Sequence, residues 1–182
     1  MKIYVASSWR EDRQPIVVAQ LREAGHDVYD FRNPEEGNHG FAWSAIDPDW
    51  MSWTSSDFVE ALSHPAAEEG FRLDFCAMQW CDVCLLVCPM TPGRSSHLEL
   101  GWCAGAGKFS IVLLQPGQRP ELMYKMADLV TPHLSAVLAT LTWPGALERP
   151  ISPFGPKGEV LGADGMPFPV DAIDVDLPHV KP

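Results

Sequence analysis

The sequence predicts an α/β domain built on a five-stranded, parallel, doubly wound sheet flanked by helices. Three observations carry this. The chain starts as strand, helix, strand, an order that favours parallel pairing. The apolar run Val83-Cys84-Leu85-Leu86-Val87-Cys88 has no polar alternation and reads as a strand buried on both faces. From there onward, strand-like and helix-like segments continue to alternate.

Ile3 to Ala6 is the first strand. Pro15 opens a helix in which Val17, Leu21 and Ala24 share a face, and Gly25 stops it. His26 to Phe31 is the second strand. Residues 33 to 56 interrupt the pattern with Asn33-Pro34, Gly37, Gly40 and Pro48, and carry Trp43, Trp50 and Trp53. A loop this long inside a compact domain is a functional lid or disordered, and three tryptophans argue against disorder. Phe58 to Leu62 and Pro65 to Trp80 read as helices. Strand 83–88 follows, then a helix over 96–106, a strand over Ile111 to Leu114, and helices over Glu121 to Ala127 and Leu134 to Leu141. Residues 1–142 thus form the domain. Residues 143–182 hold 8 prolines and 5 glycines, and read as an extended tail.

A formal net charge of -11 argues against a nucleic-acid polymer as partner, though not against one nucleotide in a local basic pocket. No apolar run approaches the roughly 18 residues of a membrane span. Met1 to Ala6 is too short and strand-like for a signal peptide. The cysteines at 76, 81, 84, 88 and 103 are odd in number and sit among apolar residues, so a reduced cytoplasmic protein is expected. Cys81-x-x-Cys84 has no second pair and no nearby histidine, and no metal or organic cofactor is expected.

Ligands of doubly wound sheets bind at the carboxyl ends of the strands. Three loops meet there: Ser7 to Arg13, the tryptophan-rich segment, and Pro89 to Ser96. Ser7, Ser8 and Arg10 follow the first strand, either as a helix cap with a surface arginine or as a clamp for phosphate or hydroxyl. Gly93, Arg94, Ser95 and Ser96 would supply the second half of that clamp. Glu99 has two readings. Ser96-x-x-Glu99 fits a capping box, and a carboxylate held ionised near a helix N-terminus also suits a nucleophile at an anomeric carbon. Asp74 reads as a solvated helix residue or an acid, Asp82 as the cap of the turn into the next strand, and Tyr4 as core or as a carboxylate partner. His97 reads as a helix-surface residue, and Met123 and Met126 as core or interface. Glu99 as cap alone, with the true site under the tryptophan-rich lid, remains an alternative.

Taken in order, Lys2-Ile3-Tyr4-Val5-Ala6, Asp74, Asp82, the apolar strand, Glu99-Leu100-Gly101-Trp102 and Gly107-Lys108 resemble the nucleoside 2-deoxyribosyltransferase superfamily, which includes the 2'-deoxynucleoside 5'-monophosphate N-glycosidases. The resemblance covers roughly residues 2 to 141. It implies a Rossmann-like fold and Glu99 as the nucleophile that attacks the sugar C1' and forms a glycosyl-enzyme. It also implies Tyr4 as the group that orients Glu99, and Asp74 as the residue that binds or protonates the leaving base. Water as acceptor would give hydrolysis, and a second base would give transfer. The transferases of this family carry an Asp six residues before the nucleophile, whereas this chain has Gly93. Ser8 and Arg10 match the offsets of the monophosphate enzymes, and with Arg94 they favour a 5'-phosphate. The implied partner is a small nucleoside or nucleotide, and the implied assembly a homodimer or higher homo-oligomer. A non-catalytic nucleotide-binding or sensing module on the same fold is the competing expectation. It has no need of Tyr4, Asp74 and Glu99 together.

Overall fold

The computed structural model describes residues 1–90, 94–142, 145 and 147. Gly93 lies outside the described residues, as does all of the tail except 145 and 147. Five parallel strands form one sheet: β1 (Lys2–Ala6), β2 (Asp27–Tyr29), β3 (Val83–Val87), β4 (Phe109–Leu113) and β5 (Leu129–Thr131). Their order is β2-β1-β3-β4-β5, the flavodoxin-like arrangement, with the switch point between β1 and β3. In register, Tyr4 lies between Tyr29 of β2 and Cys84 of β3.

The helices are α1 (Gln14–Glu23), α2 (Ser55–Ala61), α3 (Pro65–Trp80), α4 (Arg94–Gly105) and α5 (Leu134–Thr142). Pro15 and Pro65 fall at helix starts, where a missing N–H costs nothing. Gly25 follows α1 with φ +84°, a conformation that suits glycine. Val17, Val18 and Leu21 form the buried stripe of α1, while Ala24 is exposed and only ends the helix. Side chains of α1 and α5 cover one sheet face, together with Ile3, Val5, Val83, Leu85, Val87, Ile111 and Leu113. Those of α3 and α4 cover the other, with Tyr4, Ala6, Cys84, Leu86 and Val112. Both faces of β3 and β4 are therefore buried, which accounts for their uninterrupted apolar sequences.

Several boundaries depart from expectation. β2 stops at Tyr29 because Asp30 leaves the ladder for a polar turn, accepting bonds from Gln14 Nε2, the Arg32 N–H and Asn33 Nδ2. Residues Leu122–Met126 form a 3-10 turn instead of an α-helix. There Met123 and Met126 are exposed and Tyr124 is the buried side chain. α2 begins three residues before Phe58, capped by a reciprocal Thr54–Asp57 box. The fifth strand of the sheet, β5, occupies three residues at its edge.

The 33–56 insertion is held by two close contacts. Gly40 has φ +74°, and a Cβ there would lie 2.1 Å from the Phe31 carbonyl oxygen. A Cβ on Gly70 of α3 would lie 2.5 Å from the Phe41 Cβ. The insertion packs its own small core: the Trp43 ring meets Phe41, Trp53 and Phe58 edge-on at 4.8, 5.8 and 5.4 Å, and Trp53 Nε1 donates to Asp47 at 2.6 Å. No helix among the described residues is long and apolar enough to cross a membrane.

Candidate active site

The site forms where α3 and α4 lean over the carboxyl half of β1 and β2. Tyr4 points to the α3/α4 face and is 1 % exposed, and Glu99 of α4 lies close enough for its charge to raise the proton affinity of the Tyr4 hydroxyl. Tyr29, opposite Tyr4 in the register, stacks on it with centroids 5.5 Å apart and planes at 11°. The Tyr29 hydroxyl donates to Asp74 Oδ1 at 2.8 Å. A stacked tyrosine pair thus lies beside two carboxyl groups, one from each covering helix, and Tyr29 bonds one of them.

Glu99 is the sixth residue of α4, which starts at Arg94. It stands in the second turn, past the free N–H groups that a capping side chain would satisfy. Ser96 is likewise inside the helix and fully buried. The capping-box reading is therefore wrong, because the helix opens two residues before the serine taken as its cap. Asp74 is not a solvated helix residue: it is half-buried and bonded to Tyr29.

Burial changes the proton affinity of both acids. Burial, and then the Asp74 charge, push Glu99 up to about 7 against the pull of the nearby Tyr4 hydroxyl. Burial pushes Asp74 up to about 6, and the Tyr29 hydrogen bond draws it down. Tyr4 is raised well above its ordinary value, by burial first and by Glu99 and Asp74 next. Two such acids in one low-dielectric site titrate as a pair, and the pair gives up its last proton as pH rises through neutrality.

Asp74 and Tyr29 line a cavity of about 200 Å³ together with Phe31 and, from the insertion, Asn38, Gly40 and Phe41. Gly70 and Glu69 of α3 complete it. Asp74 thus joins the cavity of the insertion to the tyrosine pair, while Tyr4 and Glu99 do not line it.

The strand-end loops are tied together by groups that the sequence reading passed over. One Arg32 nitrogen, Nη2, donates to the carbonyls of Ser8, Trp9 and Glu11 at 3.0, 3.0 and 2.9 Å, and its guanidinium lies 5.6 Å from the Trp9 ring. Gln115 Nε2 donates to Glu11 Oε2 and to the Cys88 carbonyl, joining the loops after β1, β3 and β4. Ser7 Oγ donates to the Val87 carbonyl at 2.8 Å, tying the ends of β1 and β3. Ser8 Oγ accepts from the Arg10 N–H at 3.3 Å. With α1 starting at Gln14, neither serine caps a helix. The Arg10, Arg94 and Ser95 side chains are exposed at this end.

Other motif residues serve the fold. Asp82 Oδ2 accepts from the Lys2 N–H at 3.0 Å, at the opposite end of the sheet. Lys108 Nζ donates to the Gln79 and Cys81 carbonyls that end α3. His97 is half-buried, with Nε2 2.9 Å from the Tyr124 hydroxyl, so it is not a free surface residue. All five cysteines are free thiols.

Tyr29 and Arg32 are the functional candidates missed in the sequence. A signal for Tyr29 existed in the parallel pairing of the first two strands, which sets their aromatics side by side. Arg32 gave none, since its partners are backbone carbonyls.

No family model and no curated protein sequence matches the chain. Among solved structures, the 2-deoxyribosyltransferase of the psychrotolerant bacterium Bacillus psychrosaccharolyticus is similar, with a TM-score of 0.55 at 18% identity, covering 80% of this chain and 94% of that one. At that identity the likeness establishes the fold: this chain has the α/β architecture of that nucleoside-processing protein.

Proposed function

We propose that this protein is an enzyme that breaks the N-glycosidic bond of a nucleoside or nucleoside 5'-monophosphate through a covalent glycosyl-Glu99 intermediate. The observation that carries this is the gathering of Tyr4, Tyr29, Asp74 and Glu99 beside a cavity with an aromatic wall. A module that only binds nucleotides has no use for two buried acids with raised proton affinity.

In this reading substrate binding leaves the pair's proton on Asp74, the Glu99 carboxylate attacks C1', and Tyr4 orients it. The C1'–N bond breaks with its electron pair passing to the base. Asp74 gives the departing nitrogen its proton, becoming a carboxylate. The sugar ester on Glu99 is then attacked by water, which yields the free sugar, or by a second base, which yields a new nucleoside. Asp74 takes back the proton that the incoming group releases. Exposed Arg10 and Arg94, at the ends of β1 and β3, favour a 5'-phosphate over a bare hydroxyl. Substrate enters as a small molecule, and no cofactor takes part.

Incubation with deoxynucleosides and their 5'-monophosphates, with and without a second free base, followed by chromatography, tests this. The expected result is base release or exchange, faster with monophosphates, and its loss in Glu99→Ala. Tight binding without release from any substrate would assign the chain to the non-catalytic class.

A further inference from the structure

We propose that Tyr29 is a positioning residue that fixes which oxygen of Asp74 carries the transferable proton. This rests on the glycosidic reading above for the proton's destination, and on geometry alone for the proton's place. The Tyr29 hydroxyl donates to Oδ1 at 2.8 Å. An oxygen that accepts a hydrogen bond is the less basic one, so the acid proton resides on Oδ2. The terminal torsion of an aspartate is broad and two-fold, so without an anchor the two oxygens interchange. Tyr29 is itself anchored. Its ring stacks on Tyr4, its backbone sits in the parallel ladder opposite Tyr4, and it lines the cavity together with Asp74. Tyr4 and Tyr29 therefore flank the two acids from adjacent strands, and Tyr29 bonds Asp74.

The charged and titratable groups around Asp74 are few. Tyr4 faces it from β1, Tyr29 from β2 and Glu99 from α4. Glu35 of the insertion acts on Tyr29. Glu69, on the same helix and the same cavity wall, is neutralised by Arg72 at 2.6 Å. The hydrogen bond from Tyr29 favours the ionised form of Asp74. Removing it raises the proton affinity of Asp74 and frees the carboxyl to turn.

The test is Tyr29→Phe, which keeps the ring and its stack and deletes the donor. Carbon-13 NMR follows the Asp74 carboxyl through its titration, assigned with Asp74→Asn. The expected midpoint moves up by about 1 unit. The fall of kcat on the high-pH side moves with it, and kcat drops about 10-fold with KM little changed. In the unsubstituted protein, the Tyr29 ring carbon bearing the hydroxyl reports the same midpoint as Asp74, which needs no variant to fold. An Asp74 midpoint unchanged in Tyr29→Phe, or a Tyr29 carbon blind to Asp74, overturns the inference. A shifted midpoint in a protein that releases no base upholds the tyrosine's hold on Asp74 and refutes the glycosidic reading alone.

Discussion

The two faces of the sheet are equally buried and differently built. Under α1 and α5 the apolar contacts are Ile, Val and Leu, with Phe109, and the buried amide of Gln14 turns to Asp30. Under α3 and α4 the strands present Tyr4, Ala6 and Cys84, met by Cys81, Cys88, Cys103, Tyr124 and two alanines, Ala77 and Ala127. The first face gives up nothing to chemistry. The second exchanges aliphatic packing for hydroxyls, thiols and small residues, and above it stand two acids that burial keeps from ionising fully. One face carries stability and the other carries the site.

The comparison breaks most visibly at Glu99. Glu99→Gln keeps the size of the side chain and removes the nucleophile, so kcat falls by about 10³-fold or more in steady-state base release. On the opposite face, fully buried Leu85→Ala lowers unfolding free energy by about 2–5 kcal/mol in denaturant titration. Turnover per folded molecule there stays within about 2-fold, since Leu85 packs in the cluster on the face away from Tyr4.

The acids also have a stability signature. Glu99 has a raised affinity for protons when folded, so the native state binds more protons than the unfolded chain between the unfolded value and about 7. Stability from this group is present at low pH and is lost as pH rises through about 7. Glu99→Gln is therefore more stable than the unsubstituted protein at pH 8 by roughly 1–3 kcal/mol, with the gap closing toward pH 4. Thermal unfolding at the two pH values measures it. An equal gap at both would place Glu99 in solvent.

A smaller effect sharpens the role of the insertion. Gly70→Ala gains helix propensity but drives a methyl group into Phe41, for a net loss of about 1 kcal/mol in thermal unfolding. Because Phe41 walls the cavity, KM rises several-fold while kcat holds.

Local signals carried much of this architecture into the sequence. Pro65 to Trp80 is legible because a proline opens it and its end meets an apolar strand, and the observed helix has those same bounds. β3 is legible because burial on both faces leaves no polar residue in it. β5 escapes because three residues cannot establish a period. Tyr4, Asp74 and Glu99 could be singled out by order and spacing, but their meeting depends on contacts between β1, α3 and α4. Glu99 was open to misreading as a cap because a serine three residues earlier satisfies the local rule, and only the start of α4 at Arg94 removes that option. Tyr29 and Arg32 act through partners 45 and up to 24 residues away, beyond any window of local pattern.

The account rests on a bond between sugar and Glu99. Enzyme mixed with a deoxynucleoside 5'-monophosphate, quenched in acid within the first turnover, digested and weighed by mass spectrometry, tests that bond. The account predicts a peptide containing Glu99 heavier by one deoxyribosyl phosphate, absent from Glu99→Gln. Base release with no such adduct, or with the added mass on another peptide, would contradict it.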